Sequence, residues 1–207
     1  MTRLQTSSTV CLSQRVSFLR LPTRALLLIA ILLFARPASA EIEPAGPKAQ
    51  EFDKGTWALT LYGGYNREFS SDPQVGYGAV GVGYYLFDGF SVSAEARTYG
   101  VSQDGTDATT YDLDFLLRHH IIRRENWSLF LDASAGVSQS THAVPAGGTH
   151  FNFIEETGVG VTYKLNEHLH VITGARYWHL SNARLHGPDK NPGLNGVGGY
   201  IGLMWTF

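Results

Sequence analysis

Apolar and polar residues alternate with a period of two along most of the chain from residue 55 onward. Successive side chains of a β-strand point to opposite faces, so this alternation predicts strands rather than helices. Gly, Pro, Asn and Asp residues, which form turns, separate the alternating segments. Eight strands are predicted, at residues 55–66, 75–86, 90–101, 109–121, 127–139, 150–164, 168–182 and 195–207.

Charged residues on the polar face of these strands decide between two all-β architectures. In the third strand Val92 and Ala94 alternate with Glu95 and Arg97. A soluble sandwich turns its apolar face inward, whereas a membrane barrel turns apolar side chains toward lipid and encloses the polar ones. Each segment reaches the ~10 residues that a tilted membrane-spanning strand needs. The sequence therefore predicts an all-β fold, an eight-stranded antiparallel transmembrane β-barrel.

The interior of an eight-stranded barrel is filled by side chains, so the enclosed charges are expected to pair with one another. They predict an internal ion-pair network rather than a catalytic centre or a channel. Its expected members are Glu95, Arg97, Asp112, Asp114, Arg118, Asp132, Glu156 and Arg176.

Loop lengths and the C-terminus indicate the bacterial outer membrane. Three short connections, at 87–89, 122–126 and 165–167, alternate with longer ones at 67–74, 102–108, 140–149 and 183–194. Short periplasmic turns and longer external loops alternate in the same way in outer-membrane barrels. Ile201, Leu203, Trp205 and the terminal Phe207 share one face of the last strand, as is typical of such barrels.

The N-terminus predicts export from the cytoplasm. Arginines precede an apolar run at residues 25–35, and Ala38, Ser39 and Ala40 then form a small-residue cleavage site. These are the parts of a secretory signal peptide, and the apolar run is too short to span a bilayer. The predicted organisation is therefore a signal peptide at 1–40, a short periplasmic tail at 41–54 and the barrel at 55–207. Cys11 lies in the signal peptide, so the mature chain has no thiol chemistry.

The charge of the chain argues against nucleic acid as a partner, and the spacing of its histidines argues against a metal site. The formal net charge of the whole chain is −2 and no block of basic residues is present, so nucleic acid is not an expected partner. His168 and His170 flank one residue at a predicted turn, but no third ligand is evident. Neither a metal nor another cofactor is expected.

The last thirty residues carry the candidate chemistry. The period of two that places Tyr177 on the apolar face continues to His179 and Ser181, and Asn195 has the same facing on the eighth strand. His179 is expected to take the proton of Ser181 while a third group orients the imidazole. Backbone amides at Asn182 and Ala183, or the Asn182 side chain, are the expected oxyanion donors. The alternative is a polar girdle that only meets lipid head groups.

The motif that joins these residues resembles that of a known family. His179, Ser181, Asn182 and Ala183 are followed by Asn-Pro-Gly-Leu-Asn, which ends at Asn195. This pattern resembles the outer-membrane lipid A 3-O-deacylase (PagL-like) family, also labelled acyloxyacyl hydrolase. The resemblance implies an eight-stranded barrel that removes the ester-linked 3-hydroxyacyl chain at position 3 of lipid A in the outer leaflet without a metal. It implies that His179 is the base, that Ser181 is the nucleophile and that Asn182 lies near the oxyanion hole.

One position departs from the family pattern. Asn195 stands where the best-known members carry the glutamate of a His-Ser-Glu triad. An asparagine can orient an imidazole, but it cannot neutralise the imidazolium that forms during catalysis. Glu155 shares the lipid-facing parity, and a pairing of Tyr163 with Val171 would set it opposite His179, whereas a register shift of two would set it opposite Tyr177 instead. We therefore consider Glu155 as a replacement acid, against a carboxylate that only meets head groups or is turned inward by a bulge.

Other functions remain open from the sequence. Asp189, in the loop before Asn195, is a weaker candidate acid because a loop holds geometry less well. A barrel that kept the motif and lost the acid would be structural or adhesive, and a barrel esterase could act on phospholipids instead of lipid A. The apolar outer wall also leaves a homodimer open.

Overall fold

The computed structural model describes residues 50–69 and 74–207. Eight antiparallel strands form one closed barrel in which each strand pairs with its neighbours in the chain and β8 returns to β1. The strands are β1 (Trp57–Glu68), β2 (Gln74–Phe87), β3 (Phe90–Ser102), β4 (Ala108–Arg123), β5 (Trp127–Val144), β6 (Thr149–Lys164), β7 (Leu169–Ser181) and β8 (Leu194–Thr206). The predicted fold class is confirmed. The predicted signal peptide at 1–40, the tail up to residue 49 and residues 70–73 of a predicted loop lie outside the described residues.

Helical structure in the described residues is limited to two 3₁₀ turns, Gln50–Phe52 and Pro188–Lys190. No described helix is long and apolar enough to cross a membrane.

One predicted loop is largely strand. The sequence suggests a loop at 140–149, but β5 continues to Val144 and β6 begins at Thr149, and these two residues pair. The Ser140 side chain is buried in this extension, and its hydroxyl donates to the His150 carbonyl over 2.9 Å. Polar residues are compatible with a strand that extends beyond the apolar zone, because side chains outside lipid need not be apolar.

Alternation along the strands divides the side chains as the sequence predicts. Leu113, Phe115 and Ile201 are among the large apolar residues on the outer wall, with 56 to 64% of their surface exposed. In an outer-membrane barrel this surface meets lipid, so the exposure is not a defect of packing. The buried side chains inside the barrel include charged groups near its middle and apolar clusters on either side of them.

Three arginines hold the charged interior together. Arg176 bonds Asp132 over 2.8 Å and Glu156 over 3.2 Å, while Arg97 bonds Glu156 over 2.5 Å. Arg118 donates two hydrogen bonds to Asp132, over 2.8 and 2.9 Å. Two carboxylates are therefore shared between arginines, which partly offsets the cost of removing each charge from water. The predicted internal network is confirmed for these five residues.

Three other predicted members of the network have different outcomes. Glu95 pairs with Arg176 over 3.4 Å and Asp114 pairs with Arg97 over 2.5 Å, so both belong to it. Asp112 was predicted to join it, but it forms no ion pair with a described residue and its Oδ1 atom has no hydrogen-bond partner. Alternation along a strand gives the facing of a carboxylate, but not whether a guanidinium reaches it.

The end of the predicted tail closes one mouth of the barrel. Phe52 is buried and stacks on His120, with ring centroids 4.0 Å apart, and its ring lies 5.3 Å from that of His170. Lys164 donates a hydrogen bond to Glu51, which ties the segment to β6. These contacts lie at the end with the short turns, which is the periplasmic end. The described part of the segment is thus packed against the barrel, and the two buried histidines serve as its aromatic partners.

Removing Arg176 tests how far the barrel depends on its interior charges. Arg176→Gln leaves Asp132, Glu95 and Glu156 without one of their cations, so we expect the free energy of unfolding to fall by about 3–5 kcal/mol. Urea titration of the protein refolded into lipid vesicles measures this change. Arg123→Gln is the control, because its ion pair with the half-exposed Asp53 is worth no more than about 1 kcal/mol. Equal, small losses in both variants would contradict the prediction.

Candidate active site

Three polar side chains form a row across the outer wall of β6, β7 and β8. His179 is opposite Glu155 on β6 and opposite Asn195 on β8. Opposed residues of antiparallel strands have Cβ atoms about 4.5–5.5 Å apart, which is within reach of these side chains. Tyr163 pairs with Val171, so of the two registers considered from the sequence the structure has the one that sets Glu155 opposite His179. The row lies near the end of the barrel away from the short turns, which is the external end.

A hydrogen bond fixes the protonation of the His179 ring. His179 Nδ1 lies 2.9 Å from Asn195 Oδ1, and the Tyr177 hydroxyl donates to the same oxygen over 2.6 Å. An amide oxygen only accepts, so the proton of a neutral ring must be on Nδ1. The lone pair of Nε2 then remains available as a base. Both His179 and Asn195 are half-buried.

Ser181 lies two residues beyond His179 on the same face of β7 and is half-buried, opposite Phe153. No hydrogen bond to another described residue engages its hydroxyl, and none joins it to His179. In free enzymes the contact between nucleophile and base is often long and tightens when substrate binds. The chain thus brings the predicted nucleophile and base together on one face without a formed hydrogen bond between them.

Asn182 holds the loop that connects β7 to β8. It is 1% exposed, and its side-chain amide donates to Thr149 Oγ1 over 3.1 Å and to the Lys190 carbonyl over 2.7 Å. Its backbone N–H donates to Asn191 Oδ1, and its own Oδ1 accepts the backbone N–H of Arg184, both over 2.9 Å. Asn182 therefore fixes the loop at three points, on β6, early in the loop and just before β8.

These bonds bear on the predicted oxyanion donors. All N–H groups of Asn182 are occupied within this conformation, whereas the backbone N–H of Ala183 has no partner among the described residues. Ala183 and Arg184 both have positive φ values, 51° and 64°. Such a conformation costs a residue other than glycine roughly 1–2 kcal/mol, and it persists only where surrounding contacts determine it. The Asn182 bonds supply those contacts, so Asn182 supports the position of the Ala183 amide.

Gly193, beside the imidazole, has a backbone conformation that favours glycine. Gly193 has a φ of +62°, and a Cβ atom there would lie 3.8 Å from His179 Cε1. The glycine of the Asn-Pro-Gly-Leu-Asn string thus permits the turn into β8 without adding a side chain beside the ring. Asn191, at the start of the same string, accepts the Asn182 N–H.

Glu155 lies beside the imidazole but does not bond to it. Its Oε2 atom is buried and has no hydrogen-bond partner among the described residues, and no ion pair joins it to His179. Tyr177 is diagonal to Glu155 across β6 and β7. An unpaired carboxylate on the lipid-facing wall is costly unless head groups or water reach it. Asp189 is exposed in the Pro188–Lys190 turn and forms no hydrogen bond or ion pair with the three residues of the row.

Tyr177 and Thr149 contact the site residues in ways that the sequence does not predict. The facing of Tyr177 was visible in the period of two, but its hydroxyl bond to Asn195 depends on cross-strand stagger that a single sequence does not reveal. Thr149 lies in a segment that the sequence predicts as a loop, so the alternation of apolar and polar residues does not predict its contact with Asn182. Among the described residues, no group of three or more His, Cys, Asp or Glu side chains could hold a metal ion.

Known proteins resemble this chain in a family sequence pattern and in fold. A sequence model of the lipid A 3-O-deacylase (PagL) family matches residues 44–204. The crystal structure of Neisserial surface protein A is similar, with a TM-score of 0.54 and 12% identity over 73% of this chain and 94% of that one. That of the outer membrane enzyme PagL is also similar, with a TM-score of 0.52 and 15% identity over 72% and 98%. No curated protein sequence matches. At these identities the structural matches show the fold alone.

Loss of the Asn182 side chain should release the loop without unfolding the barrel. In Asn182→Ala the loop keeps its sequence but loses its bonds to Thr149, Lys190 and the Arg184 amide, so local opening should become easier. We expect tryptic cleavage after the exposed Arg184 and Lys190 to accelerate several-fold, with thermal unfolding of the barrel little changed.

The matched control is Asn166→Ala, since Asn166 accepts two backbone N–H groups in a periplasmic turn far from this loop. Cleavage after Arg184 and Lys190 should be unchanged in that variant. Unchanged cleavage in Asn182→Ala as well would show that other contacts hold the loop.

Proposed function

The chain belongs to the lipid A 3-O-deacylase (PagL) family and forms an outer-membrane barrel, and we propose that it is a serine esterase of lipid A. It would hydrolyse the ester-linked 3-hydroxyacyl chain at position 3 of lipid A, with Ser181 as nucleophile and His179 as base. One observation carries the proposal. The bond from His179 Nδ1 to Asn195 leaves Nε2 free to accept a proton two residues from an uncommitted serine hydroxyl.

The steps follow from these groups. His179 Nε2 takes the proton of the Ser181 hydroxyl as Oγ attacks the ester carbonyl carbon, and the tetrahedral oxyanion accepts the Ala183 N–H. The intermediate collapses, the bond to the sugar oxygen breaks, and the imidazolium returns its proton to that oxygen. Water, deprotonated by His179, then attacks the acyl-serine and releases the hydroxy fatty acid and free Ser181.

The location of the site suits a membrane substrate. His179 and Ser181 lie on the outer wall, at the external end, where the apolar surface meets the outer leaflet. A lipid A molecule beside the barrel could therefore present its ester without leaving the membrane, while its acyl chains remain against the apolar wall. An enzyme for a soluble ester would gain nothing from a nucleophile on this face.

Asn195 is uncharged, so the negative charge that stabilises the imidazolium has to come from another residue. The imidazolium that forms after proton transfer is stabilised by a nearby negative charge, which an amide does not have. We propose that Glu155 supplies it, because its carboxylate is opposite His179 in the register and lacks a partner in the resting state. Asn195 and Glu155 would then together perform the two functions of one triad glutamate. Asn195 orients the ring, and Glu155 supplies the charge.

Mass spectrometry of lipid A from a Gram-negative host that expresses the protein tests the reaction. The wild type should remove one ester-linked hydroxyacyl chain. Ser181→Ala should lower the rate by a factor on the order of 10³ or more, because the nucleophile is lost. Thr98→Ala is the matched control, since it removes an exposed hydroxyl from the outer wall of β3 and should leave the product unchanged.

Other outcomes assign other functions. Unmodified lipid A from wild-type protein that is folded in the outer membrane would contradict the lipid A proposal. Release of fatty acid from phospholipid vesicles, dependent on Ser181, would then indicate a phospholipid esterase. Absence of both activities would leave a structural or adhesive barrel.

The division of work between Glu155 and Asn195 gives a second test. Glu155→Gln should lower kcat by about 10- to 100-fold, as expected for loss of one charge from a charge-assisted contact. In the Glu155→Gln background, Asn195→Glu should restore most of the loss, because it returns a carboxylate to His179. Glu167→Gln, in an exposed periplasmic turn, is the control and should have no effect. A Glu155→Gln variant as active as the wild type would show that Asn195 alone suffices.

A further inference from the structure

Tyr177 bonds to the residue that orients the proposed base, and no step of the reaction above uses it. We propose that Tyr177 is a positioning residue that fixes the orientation of the Asn195 amide and thereby the tautomer of His179. The inference rests on the proposed roles of Ser181 and His179. It explains how an asparagine can replace a triad glutamate at this position.

Two donors converge on one oxygen. The Tyr177 hydroxyl and His179 Nδ1 lie 2.6 and 2.9 Å from Asn195 Oδ1, on adjacent positions of the same strand face. Tyr177 and His179 are separated by one residue on β7, while Asn195 faces them from β8. Loss of the tyrosine hydroxyl would leave His179 Nδ1 as the one hydrogen-bond partner of that oxygen among the described residues.

The chemistry of an amide makes this second bond important. A carboxylate presents two equivalent oxygens, so either can accept the N–H of the histidine. An amide has one accepting end and one donating end, and a rotation of 180° exchanges them. With the nitrogen toward the ring, the amide would donate to Nδ1 and move the ring proton to Nε2. His179 in that tautomer cannot accept the proton of Ser181.

The surroundings of Tyr177 hold its hydroxyl where it can select one orientation. Its ring stacks on that of Phe69, with centroids 6.3 Å apart and an interplanar angle of 26°. The backbone N–H of Phe69 donates to the Asn195 carbonyl over 3.0 Å, so the same residue holds both the tyrosine ring and the strand that carries Asn195. Substitution by phenylalanine removes the hydroxyl and keeps the ring that stacks on Phe69.

Kinetics of Tyr177→Phe in detergent–lipid A micelles give the first measurement. We expect kcat to fall about tenfold, as for the loss of one hydrogen bond. KM should be unchanged, because the variant lowers the fraction of enzyme with His179 in the Nδ1–H form and does not alter the surface that binds the substrate. Tyr111→Phe is the matched control, since Tyr111 is an exposed tyrosine on the outer wall of β4. A Tyr177→Phe variant with wild-type kcat would overturn the proposal.

A double-mutant cycle separates positioning from a general structural effect. In the Asn195→Glu background, Tyr177→Phe should cost less than about twofold, because a carboxylate needs no orientation. An equal loss of kcat in both backgrounds would overturn the mechanism, since it would show that Tyr177 acts independently of the amide.

Nitrogen-15 spectra of the histidine ring test the tautomer without any activity. The signal of His179, assigned by its loss in His179→Gln, should report the Nδ1–H form in the wild type and a shift toward Nε2–H in Tyr177→Phe. An unchanged tautomer in Tyr177→Phe would refute the inference. Because this readout does not require hydrolysis, it remains valid in Ser181→Ala and in a protein that proves inactive on lipid A, so failure of the proposed function is distinguishable from failure of the inference.

Discussion

Hydrocarbon offers no hydrogen bonds, and this constraint governs the whole structure. Every backbone N–H and C=O at membrane depth must be satisfied within the protein, which a strand achieves only when both of its edges are paired. The pairing of β8 with β1 removes the last free edge. Closure then separates two environments, an outer wall in contact with lipid and an interior that no lipid reaches. Alternation along each strand assigns apolar side chains to the first and charges to the second.

The same separation gives meaning to the polar row on the outer wall. Inside the barrel, Arg97, Arg118 and Arg176 share carboxylates, and such pairing needs no function to explain it. Outside, no ion pair with a described residue compensates Glu155, and the residues opposite it are His179 on β7 and Ala135 on β5. A polar group at the lipid-facing wall is tolerated near the interface, where head groups and water can reach it. The family match, together with the position of this row at the external rim, is the basis for the proposal that its chemistry is directed at the outer leaflet.

The sequence could predict those features that depend on parity and length. A period of two gives the facing of Glu155, His179 and Asn195, but it leaves open whether the register sets Glu155 opposite His179 or opposite Tyr177. The sequence could not predict contacts that depend on the offset between paired strands. Nor could it predict contacts made by residues that lie outside the alternating segments. The Tyr177 bond to Asn195 belongs to the first kind, and the burial of Phe52 at the periplasmic mouth belongs to the second. Polar strand ends, as in β5 near Val144, look like loops in the sequence. Outside the lipid both faces of a strand can be polar, so the alternation that marks a strand is lost.

An asparagine in the triad position has a physical advantage at this boundary. Glu155 already places one unpaired carboxylate on the lipid-facing wall beside His179, so a carboxylate at position 195 would add a second charge there in the resting state. The amide of Asn195 avoids that cost, but it loses the symmetry of a carboxylate and must be oriented from elsewhere. Tyr177 meets that need with a single hydroxyl. Glu155 already bears the charge on the adjacent strand, so replacing Asn195 by a second carboxylate would place two like charges on either side of one imidazole. The neutral amide is therefore the arrangement that fits this chain, given the glutamate on β6.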